Sequence, residues 1–115
     1  MRHSVRKVLT ILSGQVFSEI ISDNPGEQAA LGNMVDFAIH APATLPETIS
    51  VMSAGKRTSD TADLVPVEID GVPVVCPVGV VTPVPFGSTK AICLKSDSAV
   101  GDDRVFDVVL QVDMG

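Results

Sequence analysis

The chain has no tryptophan and no tyrosine, and only four phenylalanines among 115 residues. That removes most of the flat aromatic faces on which sugar rings and unstacked bases are held. Histidine and cysteine are equally scarce, with His3, His40, Cys76 and Cys93 the full set. No pair among them has the spacing of a zinc site, and two cysteines are too few for a disulfide framework. Basic residues are outnumbered, eight Lys and Arg against fourteen Asp and Glu, for a net charge of −6. An acidic chain without stacking residues is a poor ligand for nucleic acid, whose binding rests on Lys and Arg neutralising phosphates. No apolar run approaches the ~20 residues of a membrane helix. The opening MRHSVRKVLTIL has basic residues before a short apolar run, but Ser13, Gln15, Ser18 and Glu19 interrupt it. It reads as part of the fold rather than as a signal peptide. No metal, cofactor, nucleic acid or membrane is assigned.

Catalytic patterns are missing as well. Ser and Asp residues are numerous, yet no serine sits in a nucleophile elbow. Gly79 and Gly87 are isolated and read as turns or bulges, not as a phosphate-binding loop. The chain is read as having no catalytic residues and as no enzyme.

What is present is a valine-rich apolar fraction of 45%. Valine favours strands because its branched Cβ packs well on a pleated surface. One domain, residues 1–115, is expected, long enough to bury roughly two-thirds of its unfolded surface, with an N-terminal arm over residues 1–8. The clearest stretch is Thr89–Asp113. In its second half Phe106, Val108, Leu110 and Val112 alternate with Val105, Asp107, Val109, Gln111 and Asp113. In its first half Ile92 and Leu94 oppose Ala91, Cys93 and Lys95. Side chains alternate faces along a strand. With the polar stretch Ser96–Asp103 between the halves, this reads as a long antiparallel hairpin. Its inner face is the expected core. Its outer face is too apolar for free exposure, and is expected to be covered in part by the N-terminal strand or a second subunit.

Elsewhere the pattern is of short strands. Residues 4–12 carry apolar groups on both faces, Val5, Leu9 and Ile11 against Val8 and Leu12. Residues 15–22 fit either a strand or a helical stripe, and the β-branched residues tilt the reading towards strand. Asp23–Gly26 is a turn, and Glu27–Leu31 has room for one helical turn. Residues 33–40 alternate, with Val35, Phe37 and Ile39 inward and Asp36 and His40 outward. Ile49 and Val51 mark another strand, followed by a polar loop over residues 54–63. Val65, Val67 and Ile69 share a face, and Asp70-Gly71 is a tight-hairpin signal. Pro66, Pro73, Pro77, Pro83 and Pro85 push their strands to sheet edges or break them, because proline cannot donate to a ladder. About eight to nine short strands in this spacing make an all-β antiparallel sandwich, or jelly roll.

Few surface features invite a functional reading. Arg2, Arg6 and Lys7, with His3, form a basic N-terminus on an acidic chain. It is either an arm that docks on an acidic partner or a solvated tail. Lys56 and Arg57 lie in a loop that could touch a partner, although an ordinary exposed loop is the simpler reading. Asp102 and Asp103 beside Arg104 read as a solvated turn with a local ion pair, and the two cysteines as buried free thiols. Val109 marks the apolar outer face of the last strand.

The succession Ser13-Gly14-Gln15, MVDFAIHAPATLPETISVMSA, DLVPVEIDGVPVVCPVG, PFGSTKAICLKSDSA and DDRVFDVVLQV resembles small virion proteins of tailed bacteriophages. The resemblance runs over nearly the whole chain as a pattern of turns and strands. It departs at Asp63-Leu64, where those proteins often have an aromatic residue. It implies a capsid decoration (cement) protein of sandwich or jelly-roll type, bound to the major capsid protein as a homodimer or homotrimer. The implied location is the outer capsid surface of a virion, after synthesis in a bacterial cytoplasm. Two alternatives stay open: a neck or tail adaptor, and a carbohydrate-binding sandwich for host attachment. The second is weakened by the missing Trp and Tyr.

Overall fold

The computed structural model describes residues 2–22, 34–43, 46–54, 58, 60–85 and 91–113, and side chains at all of these except 2, 3, 5, 22, 34–37, 85, 112 and 113. The turn expected at residues 23–26 and the helical turn at 27–31 lie outside the described residues, as does the start of the 89–113 stretch.

Ten strand segments occur among the described residues: β1 Arg2–Ile11, β2 Ile21–Ser22, β3 Met34–His40, β4 Ile49–Ala54, β5 Val65–Pro66, β6 Glu68–Ile69, β7 Val72–Pro73, β8 Val81–Pro85, β9 Ala91–Ser96 and β10 Arg104–Asp113. One 3-10 turn, Thr61–Asp63, is capped by the Asp60 carboxylate, which accepts from the Ala62 N–H. Eight strands form two four-stranded antiparallel sheets, β1-β10-β3-β8 (sheet A) and β2-β9-β4-β5 (sheet B), and β6 pairs with β7 alone. Successive sandwich strands change sheets at every step except β4 to β5. The all-β sandwich expected from the valine-rich alternation is the fold observed, and its strand order is that of a jelly roll.

The core lies between the sheets. Leu9, Ile11, Ile39, Val84, Phe106, Val108 and Leu110 from sheet A meet Ile49, Val51, Ile92 and Leu94 from sheet B. A second apolar layer lies on the far side of sheet B, where Met52, Ala54, Ala91 and Cys93 are covered by Leu64, Phe17 and Ile20. Ser18 seals this layer. Its N–H donates to the Leu94 carbonyl, and its hydroxyl accepts from the Leu94 N–H and donates to the Glu19 carbonyl. Within residues 15–22 the strand alternative is realised only at Ile21–Ser22 and at an isolated Phe17–Lys95 bridge along β9, and the rest is neither strand nor helix.

The expected 89–113 hairpin does not form. β9 pairs with β2 and β4, whereas β10 pairs with β1 and β3, so the chain arches from one sheet to the other. The connection is not a free polar turn. Val100 is buried in the core and bonds through its backbone to Gly14 and Gln15, while Asp97 bonds to Thr48. Alternation tells which side of a strand is apolar but not which strand it pairs with, and a buried valine in the middle of the connection is what redirects the chain. The inner-face reading itself holds, since Ile92, Leu94, Phe106, Val108 and Leu110 all enter one cluster. Val112 is among the side chains not described.

Residues 2–8, expected as an arm, are the first seven of β1 and are in register with β10 from Arg2–Asp113 to Ile11–Arg104. The Asp70-Gly71 hairpin is observed as read. Both residues take the left-handed conformation, φ 54° and 80°, which a two-residue type I′ connection requires. Sheet edges carry the devices that discourage strand-to-strand aggregation. β8 contains Pro83 and Pro85, β5 contains Pro66, and Lys7 lies on the inward side of β1, opposite Val108.

Candidate docking surface

No constellation with chemistry of its own emerges among the described residues. No group of three or more His, Cys, Asp or Glu side chains is placed to hold a metal. Every buried side-chain nitrogen and oxygen in that set has a hydrogen-bond partner, so no orphaned polar atom is aimed at a ligand. Cys76 lies in the inter-sheet core and Cys93 in the outer layer of sheet B. Burial pushes the Cys76 thiol up to about 11, against a weaker opposing hydrogen bond with Thr82. Burial also raises Cys93, offset in part by bonds with Ser18 and Leu94. Neither is a ready thiolate, and the expected free buried thiols are observed.

The local ion pair expected at Asp102-Asp103-Arg104 is replaced by a longer-range one. Arg104 donates through Nε and Nη2 to the two carboxylate oxygens of Glu47 at 2.9 and 3.2 Å. Both side chains are largely shielded, 13 and 10% exposed. This hydrogen-bonded guanidinium holds the Glu47 carboxyl below the usual carboxylate range. Asp103 instead accepts the Ser13 N–H, tying the two loops together. A local reading fails here because β10 begins beside the segment that precedes β4, and sequence distance says nothing about that.

The candidate contact residues fall as follows. Arg6 is exposed on the outer side of sheet A and pairs with Asp107 at 2.9 Å. Val109 stands beside it in register, between Arg6 and Ala38, and is partly buried. Lys7 is on the opposite, inward side of β1. Arg2 is placed by its backbone alone, at the start of β1, and Lys56 and Arg57 lie outside the described residues. Of the outer-face residues expected to be covered, Ala91 and Cys93 are covered, by Phe17, Ile20 and Leu64 rather than by β1. Val105 remains half exposed, because β1 lies beside β10 and not over it.

A more distinctive surface went unread in the sequence. Val65, Ile69, Val72, Val75, Val78 and Val80 are 41 to 64% exposed and occupy one short stretch of chain. That stretch forms the side of the sandwich closed by β5, the β6–β7 hairpin and β8. Backbone bonds hold it against β4: Val67 N–H to the Val51 carbonyl, Val51 N–H to Val74, and Cys76 N–H to Ile49. Prolines stop β5 and β7 after two residues, so the alternation read over residues 65–69 is not carried through. Of Val65, Val67 and Ile69, read as sharing a face, Val65 and Ile69 are exposed and Val67 packs on the core. Among the described residues, the charged side chains of this stretch, Asp60, Asp63, Glu68 and Asp70, are acidic. Residues 58–89 contain Asp60, Asp63, Glu68 and Asp70 and no Lys or Arg. That run without a cation was the available signal.

No protein-family model matches the chain, and no curated protein matches it. Among solved structures, a neighbour described as "Bacillus endospore appendages form a novel family of disulfide-linked pili" shares 11% identity at a TM-score of 0.51, over 100% of this chain and 88% of that one. A cyanophage Pam1 capsid asymmetric unit shares 15% identity at a TM-score of 0.37, over 94% of this chain and 84% of that one. The first likeness is one of fold, and the second overlap is too loose to argue from. The chain is an antiparallel β-sandwich similar in fold to a pilus-forming protein.

Proposed function

We propose that the chain is a structural protein of a virion, a decoration protein that binds the major capsid protein and stabilises the head. The observation that carries this reading is the surface. A two-layered body presents one side where apolar side chains stay exposed beside the acidic Glu68 and Asp70. Exposed apolar patches on an otherwise satisfied fold mark association with another protein. The resemblance of the turn-and-strand succession to phage virion proteins supplies the kind of partner. Binding only the assembled shell, repeated over its symmetry, would stabilise it by mass action.

The outer face of sheet A suits a homodimer. In an isologous contact a patch meets itself, and Arg6 beside Asp107 places a cation and an anion where each faces its opposite. Val8, Val105 and Val109 lie around that pair. Purified protein added to undecorated shells is expected to raise their melting temperature. Absence of binding at stoichiometric excess overturns the reading. Copy number separates it from a neck or tail adaptor, with hundreds per particle for the shell and six or twelve for the tail axis.

The fold shared with the endospore-appendage protein favours a second reading, a fibre subunit. Disulfide linkage between copies fits poorly with Cys76 and Cys93, which are 3 and 0% exposed. Neither thiol is expected to react with a thiol reagent until the protein is unfolded. Rapid reaction in the native state would restore the linked-fibre reading.

A further inference from the structure

Resting on the decoration reading, we infer that the β5–β8 side is the surface that meets the shell, and that the partner surface there is apolar and fringed with Lys or Arg. The argument is from charge and exposure together. This side holds six of the ten large apolar side chains that are exposed among the described residues, Val81 lying instead on the outer face of sheet A in register with His40. Glu68 and Asp70 flank Ile69 on the projecting β6–β7 hairpin, and all three are exposed. Residues 58–89 supply no cation of their own.

A second copy is the wrong occupant for a two-fold contact through the hairpin, because Glu68 and Asp70 would face their own counterparts, and like charges in juxtaposition cost affinity. An anionic lipid surface or a nucleic acid is repelled for the same reason. A cationic rim on a different chain satisfies these acids while its apolar centre covers the valines. The hairpin is suited to the task, since its left-handed Asp70 and Gly71 fix the turn and leave little ordering entropy to lose on docking. The outer face of sheet A offers the contrast. There Arg6 and Asp107 neutralise each other, and the apolar side chains are fewer.

The test places a photo-crosslinking amino acid at position 72 or at position 105, each in the full chain bound to shells. Both sites are exposed, 64 and 49%, so neither change disturbs the core. Position 72 is expected to crosslink to the shell protein and position 105 to a second copy. Crosslinking to the shell from 105 and not from 72 overturns the inference and leaves the decoration reading standing. Crosslinking between copies at 72 overturns it as well. Failure of the unmodified chain to bind shells removes both. As a second measurement, Glu68→Lys with Val72→Ser is expected to weaken shell binding by about tenfold or more, and high salt to weaken the unmodified protein but not this variant. An undiminished affinity overturns the inference, and unchanged melting of the free variant shows that its fold is intact.

Discussion

β9 and β10 look alike as patterns and live in different surroundings. Along β9 every side chain but Lys95 is buried, because the inter-sheet core takes Ile92, Leu94 and Ser96 while Phe17, Ile20 and Leu64 close over Ala91 and Cys93. Along β10 burial alternates, with Phe106, Val108 and Leu110 inside and Val105, Asp107 and Val109 reaching the surface. The difference shows in residue size. A strand covered on both faces by nearby segments carries small residues, Ala and Cys, on its second face. A strand with one open face carries valine mixed with Asp and Gln. Burial on both faces is the rule for parallel sheets; here an antiparallel sheet achieves it by folding its own connections back over one side.

The sharpest way to break this comparison is to put a charge on the second face of each strand. Cys93→Lys buries an ammonium in an apolar layer, with the exposed Glu19 carboxylate as the nearby anion, which a fold of ordinary stability, about 5–15 kcal/mol, absorbs badly. The variant is expected to be largely unfolded by circular dichroism at room temperature. A well-folded variant would show that the cover formed by Phe17, Ile20 and Leu64 opens at little cost. Next in size, Leu94→Ala and Leu110→Ala remove equivalent groups from the shared core, one from each sheet. Each is expected to cost about 2–5 kcal/mol in denaturant unfolding. A large gap between them would mean that one sheet relaxes into the cavity and the other does not.

How much of this was written in the sequence follows from what alternation can encode. The inner faces of β4, β9 and β10 were legible, because burial on one side imposes period two on residue type. So was the Asp70-Gly71 hairpin, since few residues tolerate positive φ. Sheet membership was not legible. Two strands linked by seven residues can pair or separate, and the choice rests on Val100, whose burial depends on where residues 13–15 come to lie. The Glu47–Arg104 pair was hidden for the same reason. The candidate surface was half legible: the acidic run without a cation could be counted, but the exposure of Val65, Ile69 and Val72 depends on proline breaks that no periodicity predicts.

The Glu47–Arg104 pair gives a smaller, pH-dependent effect on the β10 side of the comparison. Glu47 has its carboxyl pKa lowered in the folded state by the Arg104 hydrogen bonds. A depressed carboxylate stabilises the fold above its unfolded pKa and loses that contribution as pH falls through the folded value. The wild-type melting temperature is therefore expected to drop more steeply than that of Glu47→Gln as pH falls below the ordinary carboxylate value of 4.5. Parallel curves would mean that the pair contributes nothing to folding.

The smallest effect on the fold is expected at Val109→Lys, the counterpart of Cys93→Lys on the open face. Val109 stands between Arg6 and Ala38 in register and is only partly buried, so its Cβ and Cγ packing can be kept by the stem of a lysine while the ammonium reaches water. A second cation opposite Arg6 repels it by a few tenths of a kcal/mol, and Asp107, already bonded to Arg6 at 2.9 Å, partly screens it. Unfolding of the variant is expected within about 0.5 kcal/mol of wild type. The oligomer should respond more strongly, because in an isologous contact each copy brings the extra charge to the same place, and a shift to lower mass in light scattering is expected. Unchanged mass would move the contact between copies away from the outer face of sheet A. A large loss of fold stability would mean that this face is covered within the chain, and the contrast between the open side of β10 and the closed side of β9 would disappear.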